Sequence, residues 1–178
     1  MKKYLVLALC LLILTVGHAQ NYTEYFANKT LRVDYIFTGD ASCQNVCLDE
    51  LSVLPSWAGR HQHLAELPLQ GNGQIIMKDL ESGKTVYTTS FSSLFQEWLE
   101  TDEAKVVSKG FENTFLLPYP LRPVEIEITL LSPRKEVRTC LKHTVRPNDV
   151  LIHQKGTAHI TPHKLSLIHI SEPTRRSY

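Results

Sequence analysis

Apolar and polar side chains alternate through residues 30–37, where Leu31, Val33, Tyr35 and Phe37 are interleaved with Arg32, Asp34 and Ile36. A period of two predicts a strand with one buried face. Residues 46–54 repeat the β tendency less cleanly, and Leu54-Pro55-Ser56-Trp57-Ala58-Gly59-Arg60 breaks it with proline and glycine. Residues 73–78 and 85–89 are short β-prone runs on either side of Asp79-Leu80-Glu81-Ser82-Gly83-Lys84, whose Ser-Gly supplies the positive φ of a tight turn, so they predict a hairpin. Only residues 92–99 show helical spacing. There Leu94, Phe95, Trp98 and Leu99 share one face, Ser92 or Ser93 offers an N-cap, and Thr101-Asp102-Glu103-Ala104, with two acidic residues, can open one more turn before Gly110. Phe91, Phe95 and Trp98, three or four residues apart, are expected to line one helix face and seal one end of the fold. Residues 111–117 form another β run, stopped by Pro118-Tyr119-Pro120. Val124, Ile126, Ile128 and Leu130 then alternate with polar residues, Ser132-Pro133-Arg134 turns the chain, and residues 137–143 alternate again, predicting a second hairpin over residues 123–145. Seven or eight short strands with one short helix predict an all-β fold, a β-sandwich rather than a βαβ sheet.

The two ends of the chain fall outside this pattern. Lys2 and Lys3 precede an almost unbroken apolar run over residues 4–16, and Gly17 and Ala19 follow as small residues, the arrangement of a secretory signal over residues 1–19 with Gln20 as the mature N-terminus. The run is shorter than the ~20 residues that span a bilayer. Cys10 lies inside it after the bulky Leu9, so it is discarded with the signal rather than lipidated. At the other end, Leu165-Ser166-Leu167-Ile168-His169-Ile170-Ser171-Glu172-Pro173-Thr174-Arg175 resembles the translation of a transposase sequencing adaptor. Residues 165–178 are therefore set aside as adaptor-derived. What remains is one domain over residues 20–153 and a polar linker, or the start of a truncated region, over residues 154–164.

Residues 20–164 keep 15 of the 19 Lys and Arg and 17 of the 18 Asp and Glu, a net −2 with histidines neutral. Nothing in that balance attracts a nucleic acid, and no second apolar span argues for residence in a membrane once the signal is removed. Export to a secreted, periplasmic or cell-surface location leaves Cys43, Cys47 and Cys140 in an oxidising compartment, an odd number that allows at most one internal bridge. Cys43 can pair with Cys47 if Gln44-Asn45-Val46 bends, and a Cys140 partner is equally allowed.

The chemistry of hydrolytic sites is sparse. A helical zinc site needs His-Glu-x-x-His, and none of the eight histidines is followed by glutamate. His61-Gln62-His63 would place two imidazoles on one face of a strand, which makes His61 and His63 the only metal candidates, although a solvated loop pair is the favoured reading. His153, His159 and His163 read as exposed residues of a polar tail. No Gly-x-Ser-x-Gly elbow is present, and Gly71-Asn72-Gly73 lacks the lysine of a phosphate loop. Glu97, Glu100, Asp102 and Glu103 crowd one segment, where a solvated acidic helix end is favoured over acid–base or calcium chemistry. No catalytic or cofactor-binding residue is assigned. Trp57, Tyr87, Phe91, Phe95 and Trp98 can serve recognition or core packing, and Trp57 and Tyr119 are the candidates for an exposed glycan- or peptide-binding surface.

A family resemblance rests on Tyr25-Phe26, Lys29-Thr30-Leu31-Arg32-Val33-Asp34-Tyr35-Ile36-Phe37, Leu48-Asp49-Glu50-Leu51, Trp57-Ala58-Gly59-Arg60, Pro68-Leu69-Gln70-Gly71-Asn72-Gly73 and Thr89-Ser90-Phe91-Ser92-Ser93-Leu94-Phe95-Gln96-Glu97-Trp98. Through these motifs the chain resembles the N-terminal domain of the IgA peptidase family, exported bacterial zinc metallopeptidases. The resemblance implies a jelly-roll-like sandwich placed before a peptidase domain that carries the His-Glu-x-x-His zinc site. It implies zinc in that downstream domain and no cofactor in this chain, with the peptidase domain of the same parent chain and a protein or glycan substrate as partners.

Overall fold

The computed structural model describes residues 21–67 and 69–155. The expected signal with Cys10, Pro68, His159, His163 and the adaptor-like tail lie outside the described residues. The order of elements is α1 (Tyr22–Tyr25), β1 (Phe26–Gly39), β2 (Gln44–Leu54), β3 (Gly73–Asp79), β4 (Thr85–Phe91), α2 (Leu94–Trp98), a 3-10 turn (Glu103–Lys105), β5 (Lys109–Pro120), β6 (Val124–Leu131), β7 (Val137–Val145) and β8 (Ile152–Gln154). Two four-stranded sheets result, ordered β5-β1-β2-β8 and β4-β3-β6-β7. The fold is mostly β and sandwich-like, with two short α-helices where the sequence predicts one.

The alternation read from the sequence decides which residues lie between the sheets. Leu31, Val33, Tyr35 and Phe37 of β1 are fully buried, as are Ile75 and Met77 of β3 and Ile126 and Ile128 of β6. Burying side chains of this size is worth roughly 1.5–3 kcal/mol each. Both predicted hairpins form, β3 with β4 and β6 with β7. Gly83 takes the predicted positive φ (68°) while Asp79 accepts from the backbone N–H of Ser82 at 2.9 Å.

Three local features depart from the sequence reading. β5 does not stop before Pro118-Tyr119-Pro120 but runs through it, pairing Pro118 with Thr30 and Pro120 with Phe26. Proline is tolerated because β5 is an edge strand, and two prolines two residues apart direct their missing N–H groups to the same, unpaired side. β8 was not anticipated, and Gln154, expected to open a linker, is its last residue. Three residues pairing in parallel with Leu51–Val53 leave too little periodicity to detect. In α2, Leu94 is exposed and Gln96 is buried in its place. The Gln96 Nε2 donates to the carbonyl of Leu131 at 3.0 Å and also to that of Asn72. Carbonyls at the end of a sheet need donors, and a buried amide supplies them better than leucine. The expected sealing of this end holds for the helix, where Phe95 is fully buried, packing on Phe37, Trp98 and Phe111, but Phe91 is the last residue of β4 rather than part of the helix face and joins the cluster through Phe37 and Phe115.

β1 and β2 run antiparallel with Thr30 opposite Leu54, so the described chain begins, at α1, and stops, after β8, at one end of the sandwich. α2, the β1–β2 turn and the β6–β7 turn lie at the other.

The three thiols are exposed and unbonded. Residues 44–47 are extended within β2, which sets Cys43 and Cys47 about 13 Å apart at about 3.3 Å per residue, beyond the ~7 Å that a bridge spans. Cys47 pairs with Ile36 on the outer face of one sheet and Cys140 pairs with Thr129 on the outer face of the other. Maleimide labelling of reduced protein without denaturant is expected to modify Cys43, Cys47 and Cys140 alike; a thiol protected until unfolding would contradict this arrangement.

One polar pair spans the two sheets. The Tyr35 hydroxyl of β1 lies 2.7 Å from Nε2 of His143 in β7. The His143 Nδ1 is enclosed without a partner, so a protonated ring would bury an unmet charged N–H, and burial lowers the His143 pKa from 6.5 to about 4. The native state then takes up its proton at lower pH than the unfolded chain. The stabilisation is complete above about pH 6.5, declines between 6.5 and 4, and amounts to at most about 3 kcal/mol before the screening that a partly exposed ring retains. Denaturant titrations at pH 7 and pH 4.5 are expected to show a smaller acid loss in His143→Gln, which keeps a partner for Tyr35 but cannot titrate, than in the parent; equal losses would refute it.

Candidate functional site

The motif around Trp57 is architectural. Trp57 is buried, its ring edge-on to Tyr87 at 6.1 Å between centroids, and its Nε1 donates to the Arg60 carbonyl at 3.1 Å. A Cβ at Gly59 would lie 2.2 Å from the indole, so only glycine lets the chain cross the ring there. Arg60 sits 5.1 Å from the Tyr87 ring centroid and donates to the carbonyls of Leu64, at 3.0 Å, and Thr88. Trp57 therefore belongs to the core and offers no exposed platform. Tyr119 is half-buried against the same core, and its hydroxyl donates to the Pro147 carbonyl, tying β5 to the segment between β7 and β8. Both aromatics expected on a binding surface thus have structural partners.

His61 and His63 are exposed but not brought together around a common point. His61 packs on Tyr22 with ring centroids 4.2 Å apart, and His63, at φ 52°, places Nδ1 2.9 Å from Glu66 Oε1. No group of three His, Cys, Asp or Glu side chains converges among the described residues. A zinc ion needs three or four ligands at about 2 Å, so the described residues do not fit one.

The acidic segment divides into two pairs. Asp102 pairs with Lys105 at 2.6 Å. Glu103 accepts from Lys109 Nζ at 2.7 Å and from Trp98 Nε1 at 2.9 Å, and those bonds hold its carboxyl below the usual range. Lys109 in turn lies 5.6 Å from the Trp98 ring centroid. Glu97 and Glu100 are not used this way; they line a cleft.

That cleft, about 540 Å³, lies between α2, the residues leading into β3 and the β6–β7 turn. Its polar lining includes Gln44, Asn72, Glu97, Glu100, Lys135 and Arg138. The packing that shapes it is built from sequence motifs. A Cβ at Gly71 would meet the Phe91 carbonyl at 2.1 Å, so Gly71-Asn72-Gly73 passes against the end of β4 as bare backbone. Ser93 caps α2 by accepting from Gln96 N–H. Gln96 then bonds the carbonyls on both sides of the cleft floor. The cleft leaves no signal in the sequence, because its charged residues lie far apart in the chain and meet only where the segment after β4 and the β6–β7 turn reach the same end of the folded sheet.

The family model described as Peptidase M64 N-terminus matches residues 21–142. The chain belongs to this family. M64 is the IgA peptidase family, a metallopeptidase family, and the match covers the described fold from α1 into β7. No curated protein matches the chain. Only the M64 N-terminal domain is recognised, and no catalytic domain is detected in this chain. Within this M64 domain the motifs at residues 57–60 and 89–98 serve packing, capping and closure of carbonyls.

Trp57→Ala is accordingly expected to cost about 3–5 kcal/mol of stability, the range for truncating a core aromatic. Denaturant unfolding measures it. A loss under 1 kcal/mol would place the indole outside the core.

Proposed function

We propose that this M64 domain is the non-catalytic N-terminal accessory domain of an exported zinc metallopeptidase and positions the peptidase domain of its parent chain, or that domain's substrate. The observation that carries this reading is the family match over residues 21–142. The motif residues Trp57, Gly59, Arg60, Gly71, Ser93 and Gln96 support it, since they make structural contacts rather than a reactive constellation. Zinc belongs to the downstream domain in this reading, and this chain carries no cofactor. The apolar run with small residues after it, over residues 1–19, supports export to a secreted, periplasmic or cell-surface location. A jelly-roll description of the sandwich belongs to the same proposal, supported by paired hairpins whose connections cross between the sheets.

Long-read sequencing of the locus past the codon for Lys164, prepared without transposase adaptors, tests the reading. An open frame that reaches His-Glu-x-x-His is expected. A stop codon at that point would make the domain free-standing and overturn the accessory role.

A further inference from the structure

The cleft beside α2 lies at the end of the sandwich opposite the one where the described chain begins and stops, so a domain joined after residue 155 leaves from the far end. Its lining contains no aromatic ring. Leu99, Leu130, Leu131 and Pro133 give it apolar surface, Glu97 and Glu100 contribute carboxylates from α2 and the turn after it, and Lys135 and Arg138 contribute cations from the β6–β7 turn and the start of β7. Lys135 is occupied, donating to the Gly71 carbonyl at 2.7 Å. Glu97, Glu100 and Arg138 form no side-chain hydrogen bond or ion pair among the described residues. The side-chain oxygen of Asn72, in the same lining, is enclosed without a donor.

We infer that this cleft binds an extended polypeptide segment. Unpaired charges of both signs in one cleft disfavour a simple anion or cation, which would meet a like charge, and suit a ligand that carries both. Peptides do so, and they add aliphatic side chains for the leucine and proline surface and N–H donors for an unmet acceptor. A neutral glycan carries no charge to match and finds no ring on which to stack. The cleft size lies within the ~300–1,000 Å³ of ordinary ligand sites. Use of the cleft to hold substrate for a peptidase domain rests on the proposed accessory role, whereas peptide binding itself does not.

The test uses the full chain and two short fluorescein-labelled peptides of alternating valine and threonine, one bearing lysines and glutamates at opposite ends and the other glutamine at those positions. Fluorescence anisotropy is expected to show saturable binding of the charged peptide and weaker binding of its glutamine counterpart. Arg138→Glu and Glu97→Lys are each expected to weaken binding by about fivefold, the effect of about 1 kcal/mol, while Glu24→Lys, at the opposite end, leaves it unchanged. Thermal unfolding of each variant establishes that it is folded. Absence of saturable binding, binding indifferent to both reversals, or tighter binding of an uncharged chito-oligosaccharide would overturn the inference. A stop codon after Lys164 would remove the accessory role and leave the peptide result standing.

Discussion

The inner row of β1 is the constraint around which the molecule is built. Leu31, Val33, Tyr35 and Phe37 occupy alternate positions of a central strand, the longest of the fold, that pairs on both sides along most of its length, with β2 and β5. Because side chains alternate strictly across a sheet, these four can be buried only if the second sheet covers them, which requires Ile75, Met77, Ile126 and Ile128 to face the other way. Register is fixed as a consequence. A slip of one residue would carry Arg32 and Asp34 into the apolar layer, at a cost well beyond what their mutual 3.0 Å ion pair returns.

Closing the sandwich raises a different problem, since the last carbonyls and N–H groups of each strand have no neighbour. This protein meets it with side chains and short helices carried on the connections between strands. Gln96 supplies donors where β6 ends, and Asp40 accepts from Ser42, Cys43 and Ser108 at the β1–β2 turn, bonds that hold its carboxyl well below the usual range. Gly59 and Gly71 let chain pass against an indole and against a strand end. Gln96, Gly59 and Gly71 belong to the segments that carry the family resemblance, and in this chain their contacts close the ends of the sandwich.

Legibility in the sequence follows the same division. The alternating rows and both hairpins were readable because one face is buried and the other wet, and the sealing role of Phe95 and Trp98 was readable from helical spacing, whereas Phe91, read onto the same helix face, reaches that end from β4. Continuation of β5 through Pro118 and Pro120 was not, because a proline stops a strand only where its N–H is needed, and which strand lies at the edge is a property of the assembled sheet. Burial of Trp57 was equally hidden. A tryptophan in a proline- and glycine-rich stretch looks like a surface loop residue until Tyr87 is known to lie beneath it. Charges suffered most, since neither the separation of Glu97 and Glu100 from the Glu103–Lys109 pair nor the approach of Arg138 leaves any trace in local spacing.

The chain's geometry also limits how such a domain can act. Both described termini lie at one end, whereas α2 and its cleft occupy the other, roughly the length of a strand away. At about 3.4 Å per residue, an eight-residue strand such as β6 spans about 27 Å. Over that distance, exposed charges are screened almost completely at physiological salt, where the Debye length is about 8 Å. Charges at the two ends of the sandwich therefore act independently of one another, and a link between the ends within this domain is steric or connective. A sandwich suits this role, because close-packed protein interiors transmit position with little loss.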